Sequence, residues 1–170
     1  MGSLIHEYGR GDLRRYAGFR IGVDGAKRIL EPIRDFASFP LEWLEGNEAR
    51  IEILEENTRN FLSGQRAHNV LVWGPRGGGK STLIRAIIGK FYNSGLRALE
   101  ITPSCYEDLS QIFALVRGRK QRFIGVLDNV SLDRGDGSLH LLSRVLDGGL
   151  EEWPENLVFY ATSNYKDLVD

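Results

Sequence analysis

Residues 74–81 of this chain read Gly74-Pro75-Arg76-Gly77-Gly78-Gly79-Lys80-Ser81. The stretch fits the phosphate-binding pattern G-x-x-x-x-G-K-[ST] at every fixed position. Glycines let the backbone curl so that successive N–H groups point at phosphate oxygens. In such a loop the lysine reaches the β and γ phosphates, and the hydroxyl can ligate a bridging Mg²⁺. The pattern therefore predicts a nucleotide-binding site formed by these eight residues and Thr82.

The flanking residues supply the setting that such a loop requires. Before it stands the apolar run Val70-Leu71-Val72-Trp73, which is typical of a buried parallel strand. After it, positions 83, 84, 87, 88 and 91 are apolar and recur with helical spacing. The positive end of that helix would face the same anion. This order of strand, loop and helix favours a phosphate site over an incidental glycine-rich turn.

Composition narrows the class of protein. The 170 residues suit one domain, and 26% charged with 42% hydrophobic residues is ordinary for a globular chain. A net charge of −1 does not favour nucleic acid or an anionic membrane as a partner. No apolar run is long enough to span a bilayer, and the N-terminus does not resemble a secretory signal. With Cys105 as the single cysteine, we expect no internal disulfide and a cytoplasmic location.

From residue 69 onward, strand and helix patterns alternate. We predict further strands over 97–102, 123–127 and 157–162, and helices over 106–118 and 138–147. This alternation predicts an α/β fold of three layers, with at least four parallel strands between helices. Residues 1–28 are polar without a steady period, and 47–63 form a predicted helix. We therefore expect an N-terminal arm over 1–40 and a nucleotide-binding core over 41–170.

Two polar residues follow predicted strands and would lie near the loop. The third strand ends in Asp128, 48 residues after Lys80. There the carboxylate can hold Mg²⁺ together with Ser81, although a solvated loop aspartate would give the same pattern. The fourth strand ends in Thr162-Ser163-Asn164. The Asn164 amide can orient water or contact a phosphate, but asparagine is equally common as a turn residue.

These residues resemble the AAA+ branch of P-loop ATPases, and more closely a bacterial family of that branch, the DUF815 ATP-binding proteins. The segments that carry this resemblance are Tyr8-Gly9-Arg10-Gly11, Leu44-Glu45-Gly46-Asn47, Asn57-Thr58-Arg59-Asn60-Phe61-Leu62-Ser63-Gly64, Asn69-Val70-Leu71-Val72-Trp73-Gly74, Gly95-Leu96-Arg97, Arg122-Phe123-Ile124, Leu146-Asp147-Gly148-Gly149-Leu150 and Tyr160-Ala161-Thr162-Ser163-Asn164. The resemblance implies ATP and Mg²⁺ as cofactors and makes Asn164 the sensor-1 residue. It also implies self-association or an unidentified protein partner.

One departure concerns catalysis. AAA+ enzymes usually carry two acidic residues at the end of the third strand, whereas this chain has Asp128-Asn129. Asn129 can hydrogen-bond a water but cannot accept its proton, and losing such a base costs about 10²–10⁴-fold in rate. Asp133 and Asp136 follow in the next loop, where either could substitute or be merely solvated.

A second departure concerns length. The chain ends at Asp170, so the resemblance predicts no arginine finger, fifth strand or helical lid within it. The phosphate-loop strand would then lie at a free sheet edge. Either the N-terminal segment covers that edge, another chain pairs with it, or the chain is a truncated product. The segment around Leu44–Asn47 is expected to form one wall of an adenine pocket.

Three functions follow from these patterns. The first is an AAA+-type ATPase that binds MgATP and hydrolyses it slowly, with Lys80, Asp128, Asn129 and Asn164 as its catalytic residues. The second is a degenerate nucleotide-binding switch or interaction module. The third, a small-molecule kinase, is disfavoured because no arginine-rich lid or acceptor site is evident. A basic cluster at Arg117, Arg119, Lys120 and Arg122 could contact phosphates or form a solvated turn.

Overall fold

A six-stranded sheet forms the centre of the structure, a computed structural model that describes residues 13–44, 46–130 and 153–164. Its strands are β1 (Gly18–Asp24), β2 (Lys27–Pro32), β3 (Val70–Gly74), β4 (Leu96–Glu100), β5 (Arg122–Leu127) and β6 (Leu157–Asn164). They lie in the order β2-β1-β4-β5-β6-β3. All neighbours are parallel except β1 and β2, which are antiparallel. The predicted α/β class and parallel sheet are therefore confirmed.

Three α-helices lie wholly within the described residues and pack against the sheet: α1 (Glu48–Leu62), α2 (Lys80–Lys90) and α3 (Leu109–Val116). Short 3₁₀ turns occupy Leu41–Trp43, Tyr92–Ser94 and Pro103–Asp108. The third of these turns takes the place of the first part of the helix predicted over 106–118, so α3 begins later than expected. The helix predicted over 138–147 lies outside the described residues.

Strand β6 shows how the two faces of the sheet are buried. Successive side chains of a strand point to opposite faces. Leu157, Phe159 and Ala161 lie in one apolar cluster together with buried residues of α3. Val158 and Tyr160 lie in the other cluster, together with buried residues of α1 and α2. A strand buried on both faces explains its continuous apolar sequence and establishes the three-layer arrangement.

The N-terminal segment contributes a β-hairpin that sequence analysis missed. Asp24 pairs with Lys27 across a two-residue turn, in which Gly25 has φ of 63°. β1 then pairs with β4 and places Phe19, 1% exposed, in the core. Arg28 Nε donates to Asp108 Oδ2 at 2.9 Å, which ties β2 to the turn before α3. The interpretation of residues 1–28 as polar without a steady period overlooked the alternation of Phe19, Ile21 and Val23 before Gly25, the first residue of the turn.

Strands β3 and β2 are the two edges of the described sheet. The hairpin thus occupies the edge opposite β3, and the described N-terminal residues do not cover the phosphate-loop strand. On β3, Val72 is buried, whereas Leu71 and Trp73 are 38% and 49% exposed. No helix of the described residues is long and apolar enough to cross a membrane.

Candidate functional site

The glycine loop connects the carboxyl end of β3 to the start of α2. Gly77 and Gly79 have φ of 80° and 79°, a region that other residues rarely adopt. The Gly78 N–H donates to Pro75 O at 3.2 Å and closes a turn with the exposed Arg76 at its corner. α2 begins where Leu83 N–H donates to Gly79 O at 2.9 Å. The loop therefore curls back immediately before a helix N-terminus, as the motif predicts.

Lys80 lies at the centre of this loop and is only 6% exposed. Its Nζ donates to Gly74 O at 3.1 Å, to Pro75 O at 2.8 Å and to Asn164 Oδ1 at 3.1 Å. The contact with Asn164 is possible because β3 and β6 are neighbours and Gly74 lies directly opposite Asn164. Parallel pairing thus brings two residues 84 positions apart within hydrogen-bond distance.

Ser81 and Asp128 form a second contact at the same edge of the sheet. Ser81 Oγ donates to Asp128 Oδ1 at 2.5 Å, and Thr162 Oγ1 donates to the same oxygen at 2.7 Å. Asp128 is exposed, whereas Thr162 is fully buried. The two residues predicted to hold Mg²⁺ are therefore adjacent, and a third residue holds the carboxylate. We call Lys80, Ser81, Asp128, Thr162 and Asn164 the phosphate-loop cluster.

Asn129 follows Asp128 in an uncommon backbone conformation. Its φ is 53°, the only positive φ among the described non-glycine residues. Asparagine is one of the few residues that tolerate this region. Its backbone N–H donates to Thr162 Oγ1 at 2.9 Å, and its side chain is exposed. The next two contacts, Val130 N–H to Thr162 O and Ser163 Oγ to Val130 O, join this turn to β6.

Sequence analysis did not identify Thr162 or Arg50 as site residues. Arg50 on α1 donates from Nη2 to Trp73 O at 2.8 Å and lies beside Gly74. Thr162 lies two positions before Asn164 and therefore on the same face of β6, a spacing that could have indicated it. No comparable signal in the sequence marks Arg50, because its contact depends on how α1 packs.

Some predicted residues lie elsewhere. Asp133 and Asp136 lie outside the described residues. Arg122 begins β5 at the amino end of the strand, and its Nη2 donates to Glu155 O, so the basic cluster is remote from the glycine loop. Within the described ranges, no group of three or more His, Cys, Asp or Glu residues could hold a metal ion. A metal at Ser81 and Asp128 would therefore need further ligands from another source, such as phosphate or water.

A second polar group, which we call the Tyr160 cluster, lies on the same face of β6. It consists of Asn57, Thr58 and Tyr160. Tyr160 Oη lies 2.8 Å from Thr58 Oγ1 and accepts from Asn57 Nδ2 at 3.1 Å. Thr58 Oγ1 also contacts Leu54 O at 2.6 Å. Burial raises the pKa of the Tyr160 hydroxyl, and the hydrogen bonds to Thr58 and Asn57 oppose part of that rise.

The Tyr160 cluster also holds the segment before β3. Asn57 Nδ2 donates to His68 O, and His68 N–H donates to Asn57 Oδ1, both at 2.9 Å. These two bonds fix the chain just before it enters the phosphate-loop strand. The motif residues Asn57 and Thr58 therefore have a structural task in joining α1 to β6 and β3.

Comparison with protein families gives one match over most of the chain. The model of the family described as "Protein of unknown function (DUF815)" matches residues 15–170. No curated protein matches the sequence.

Among solved structures, Aeropyrum pernix Orc1 in complex with DNA aligns with a TM-score of 0.56 at 18% identity, over 74% of this chain and 40% of Orc1. A point mutant of Thermotoga maritima RuvB aligns with a TM-score of 0.52 at 16% identity, over 81% of this chain and 45% of RuvB. PCH-2 from C. elegans aligns with a TM-score of 0.52 at 16% identity, over 81% of this chain and 41% of PCH-2. These proteins are AAA+ P-loop ATPases. At such identities the likeness shows the fold, and this chain spans less than half of each.

Proposed function

This chain belongs to the DUF815 family, and on that premise we propose that it binds ATP with Mg²⁺ and hydrolyses it slowly. The triphosphate would lie in the loop of residues 74–82, with Lys80 and the loop N–H groups as its donors. The nucleotide-binding core would comprise residues 41–170, with the hairpin of β1 and β2 extending its sheet.

The observation that carries this proposal is the environment of the Lys80 ammonium group. The residue is only 6% exposed, and its hydrogen-bond partners among the described residues are two carbonyls and one amide oxygen, all neutral. A buried charge without an opposite charge is costly. A phosphate group in the loop would supply the missing negative charge, and Lys80 would exchange carbonyl contacts for phosphate oxygens.

The residues beside Lys80 suit a magnesium ion. Ser81 and Asp128 offer a hydroxyl and a carboxylate, the hard oxygen ligands that Mg²⁺ prefers. Mg²⁺ is commonly held by one or two carboxylates together with substrate phosphates, which agrees with an exposed Asp128 next to the loop. When bound, the ion would neutralise charge on the phosphates. Ser81 and Asp128 would hold the ion close to Lys80, so that both could contact the same phosphates.

Slow hydrolysis is inferred from the residue after Asp128. The Asn129 side chain is exposed beside the cluster and has no group that accepts a proton from water. Asn164 contacts Lys80, and in this proposal its amide would orient a water or sense the terminal phosphate. The same facts support a second candidate function, a nucleotide-binding switch with almost no turnover. In both cases ATP binding is the common requirement.

Partners are inferred from the fold neighbours and from the net charge. The AAA+ resemblance suggests self-association or a protein partner, and the single cysteine suggests a cytoplasmic location. Orc1 was solved with DNA, whereas the net charge of −1 of this chain does not favour nucleic acid. Binding to a DNA duplex at low salt, measured by anisotropy, would decide this point.

Substitution of Lys80 tests the proposal directly. Lys80→Ala should weaken ATP binding about a hundredfold, because charged hydrogen bonds are worth up to about 3 kcal/mol. Isothermal titration with ATP and Mg²⁺ measures this. Lys90→Ala is the matched control, since Lys90 lies on the same helix and pairs at the surface with Glu55. Equal ATP affinity in wild type and Lys80→Ala, or no binding by the wild type, would contradict the proposal.

A further inference from the structure

We propose that Thr162 is a positioning residue, whose buried hydroxyl sets the orientation of the metal ligand Asp128 and of the Asn129 backbone. The inference rests on the proposed binding of Mg²⁺ with ATP. It adds a residue that the phosphate-loop motif does not include, on a strand remote from that motif in the sequence.

The Thr162 hydroxyl acts both as a hydrogen-bond donor and as an acceptor. The hydroxyl donates its single proton to Asp128 Oδ1 at 2.7 Å and accepts the Asn129 N–H at 2.9 Å. The side chain is 0% exposed, so no water competes for these bonds. A valine of the same shape could make neither contact. The hydroxyl therefore determines the local geometry through hydrogen bonds rather than through packing.

Asp128 needs such support because it lies at the exposed end of β5. A carboxylate in solvent can rotate among several orientations, and only some of them can coordinate the ion. This rotation lowers the affinity of the site for the metal. Here Oδ1 accepts from both Ser81 and Thr162, and these two donors restrict the orientations that the carboxylate can adopt. Both of these contacts fall on Oδ1, so Oδ2 is the oxygen that we expect to act on an ion or on its water shell.

The second hydrogen bond of Thr162 holds Asn129, which stands where AAA+ enzymes usually have a second acidic residue. Asn129 has φ of 53°, and its N–H is held by Thr162. Two residues further along the same face of β6, Asn164 contacts Lys80. Strand β6 thus contacts Lys80 through Asn164, and it contacts Asp128 and Asn129 through Thr162. Without the hydroxyl, the Asp128–Asn129 turn would lose its alignment with the loop.

The test is the dependence of ATP affinity on Mg²⁺. For wild type, Thr162→Val and Thr162→Ser, the dissociation constant of ATP is measured with Mg²⁺ and with excess chelator. The Mg²⁺-dependent gain is the factor by which Mg²⁺ tightens ATP binding relative to excess chelator. We expect Thr162→Val to reduce this gain about tenfold or more, as for other residues that orient metal ligands. Affinity in chelator should stay within about twofold, and Thr162→Ser should retain the gain.

Ser163→Ala is the matched control. Ser163 is equally buried and donates to Val130 O, but it does not contact Asp128. It should lose a hydrogen bond without losing the Mg²⁺-dependent gain. An unchanged gain in Thr162→Val, or an equal loss in Ser163→Ala, would overturn the positioning role. A wild type that binds no ATP would instead overturn the proposed function.

A second measurement needs neither ATP nor a variant. In wild-type protein without metal, the Asn129 amide should exchange with solvent at least about tenfold more slowly than an unstructured peptide, because Thr162 holds it. Exchange is followed by NMR. Protection supports the contact whatever the protein binds, whereas an unprotected amide overturns the inference.

Discussion

The phosphate-loop cluster and the Tyr160 cluster share one face of β6, but they differ in where their partners lie. In the Tyr160 cluster the hydroxyls of Tyr160 and Thr58 and the amide of Asn57 all find partners within the chain. In the phosphate-loop cluster, the buried ammonium of Lys80 contacts only neutral oxygens among the described residues, and Asp128 is exposed.

This difference separates a cluster that stabilises the fold from one that is completed by a ligand. A polar network that is satisfied internally contributes rigidity and stability. A network that contains a buried cation without a negatively charged partner favours the binding of an anionic ligand. Changes in the Tyr160 cluster should therefore alter the free energy of unfolding, whereas changes in the phosphate-loop cluster should alter binding and turnover.

The largest effect is expected at Asn129, beside the phosphate-loop cluster. Asn129→Asp restores a proton acceptor and should raise the rate of ATP hydrolysis by about 10²–10⁴-fold. Aspartate suits a φ of 53° better than glutamate does, so little stability should be lost. Phosphate release with ATP and Mg²⁺ measures the gain.

Asn129→Gly is the control for that substitution. Glycine accepts the same backbone conformation without strain but supplies no carboxylate, so it should remain slow. A wild type that hydrolyses ATP rapidly, with no gain in Asn129→Asp, would show that Asn129 does not limit turnover.

A smaller effect, on stability alone, is expected in the Tyr160 cluster. Tyr160→Phe removes the hydroxyl that contacts both Thr58 and Asn57. It should lower the free energy of unfolding by about 1–3 kcal/mol. Urea unfolding measures this loss, and titration with ATP should show an unchanged affinity. A loss of affinity as large as that of Lys80→Ala would remove the distinction between the two clusters.

The smallest effect is a pH dependence. Burial raises the pKa of Tyr160 in the folded state above its unfolded value of about 10. The neutral hydroxyl therefore favours folding below that unfolded value, and this contribution is lost as pH rises through the folded pKa. As pH rises above about 10, the wild type should lose more stability than Tyr160→Phe. Parallel pH profiles of the two proteins, measured by urea unfolding, would contradict this assignment.

The sequence was sufficient to predict the parts that follow a strict local pattern. The glycine loop, β3, β5, β6 and the placement of Asp128 and Asn164 at one sheet edge all followed from strand ends and spacing. Parallel strands with helical crossovers bring their carboxyl ends together, so residues 84 positions apart could be expected to meet.

What the sequence did not reveal depends on tertiary packing. Of the hairpin, only β1 has an alternating apolar pattern, whereas Lys27–Pro32 has none. The structure holds the hairpin through the pairing of β1 with β4 and the contact of Arg28 with Asp108. Arg50 joins the site only because α1 packs beside β3. Thr162 has no motif of its own, and its hydroxyl gains a role only when β5 and β6 lie side by side.

The most direct test of the central claim is the shift in unfolding temperature caused by ATP and Mg²⁺. A ligand at about 100 times its dissociation constant adds about 2.7 kcal/mol to stability. Wild type and Tyr160→Phe should show equal upward shifts from different starting temperatures. At the same ATP concentration, Lys80→Ala, with an affinity about a hundredfold lower, should gain only about 0.4 kcal/mol and so show a much smaller shift. A shift in Lys80→Ala equal to that of the wild type would contradict the account.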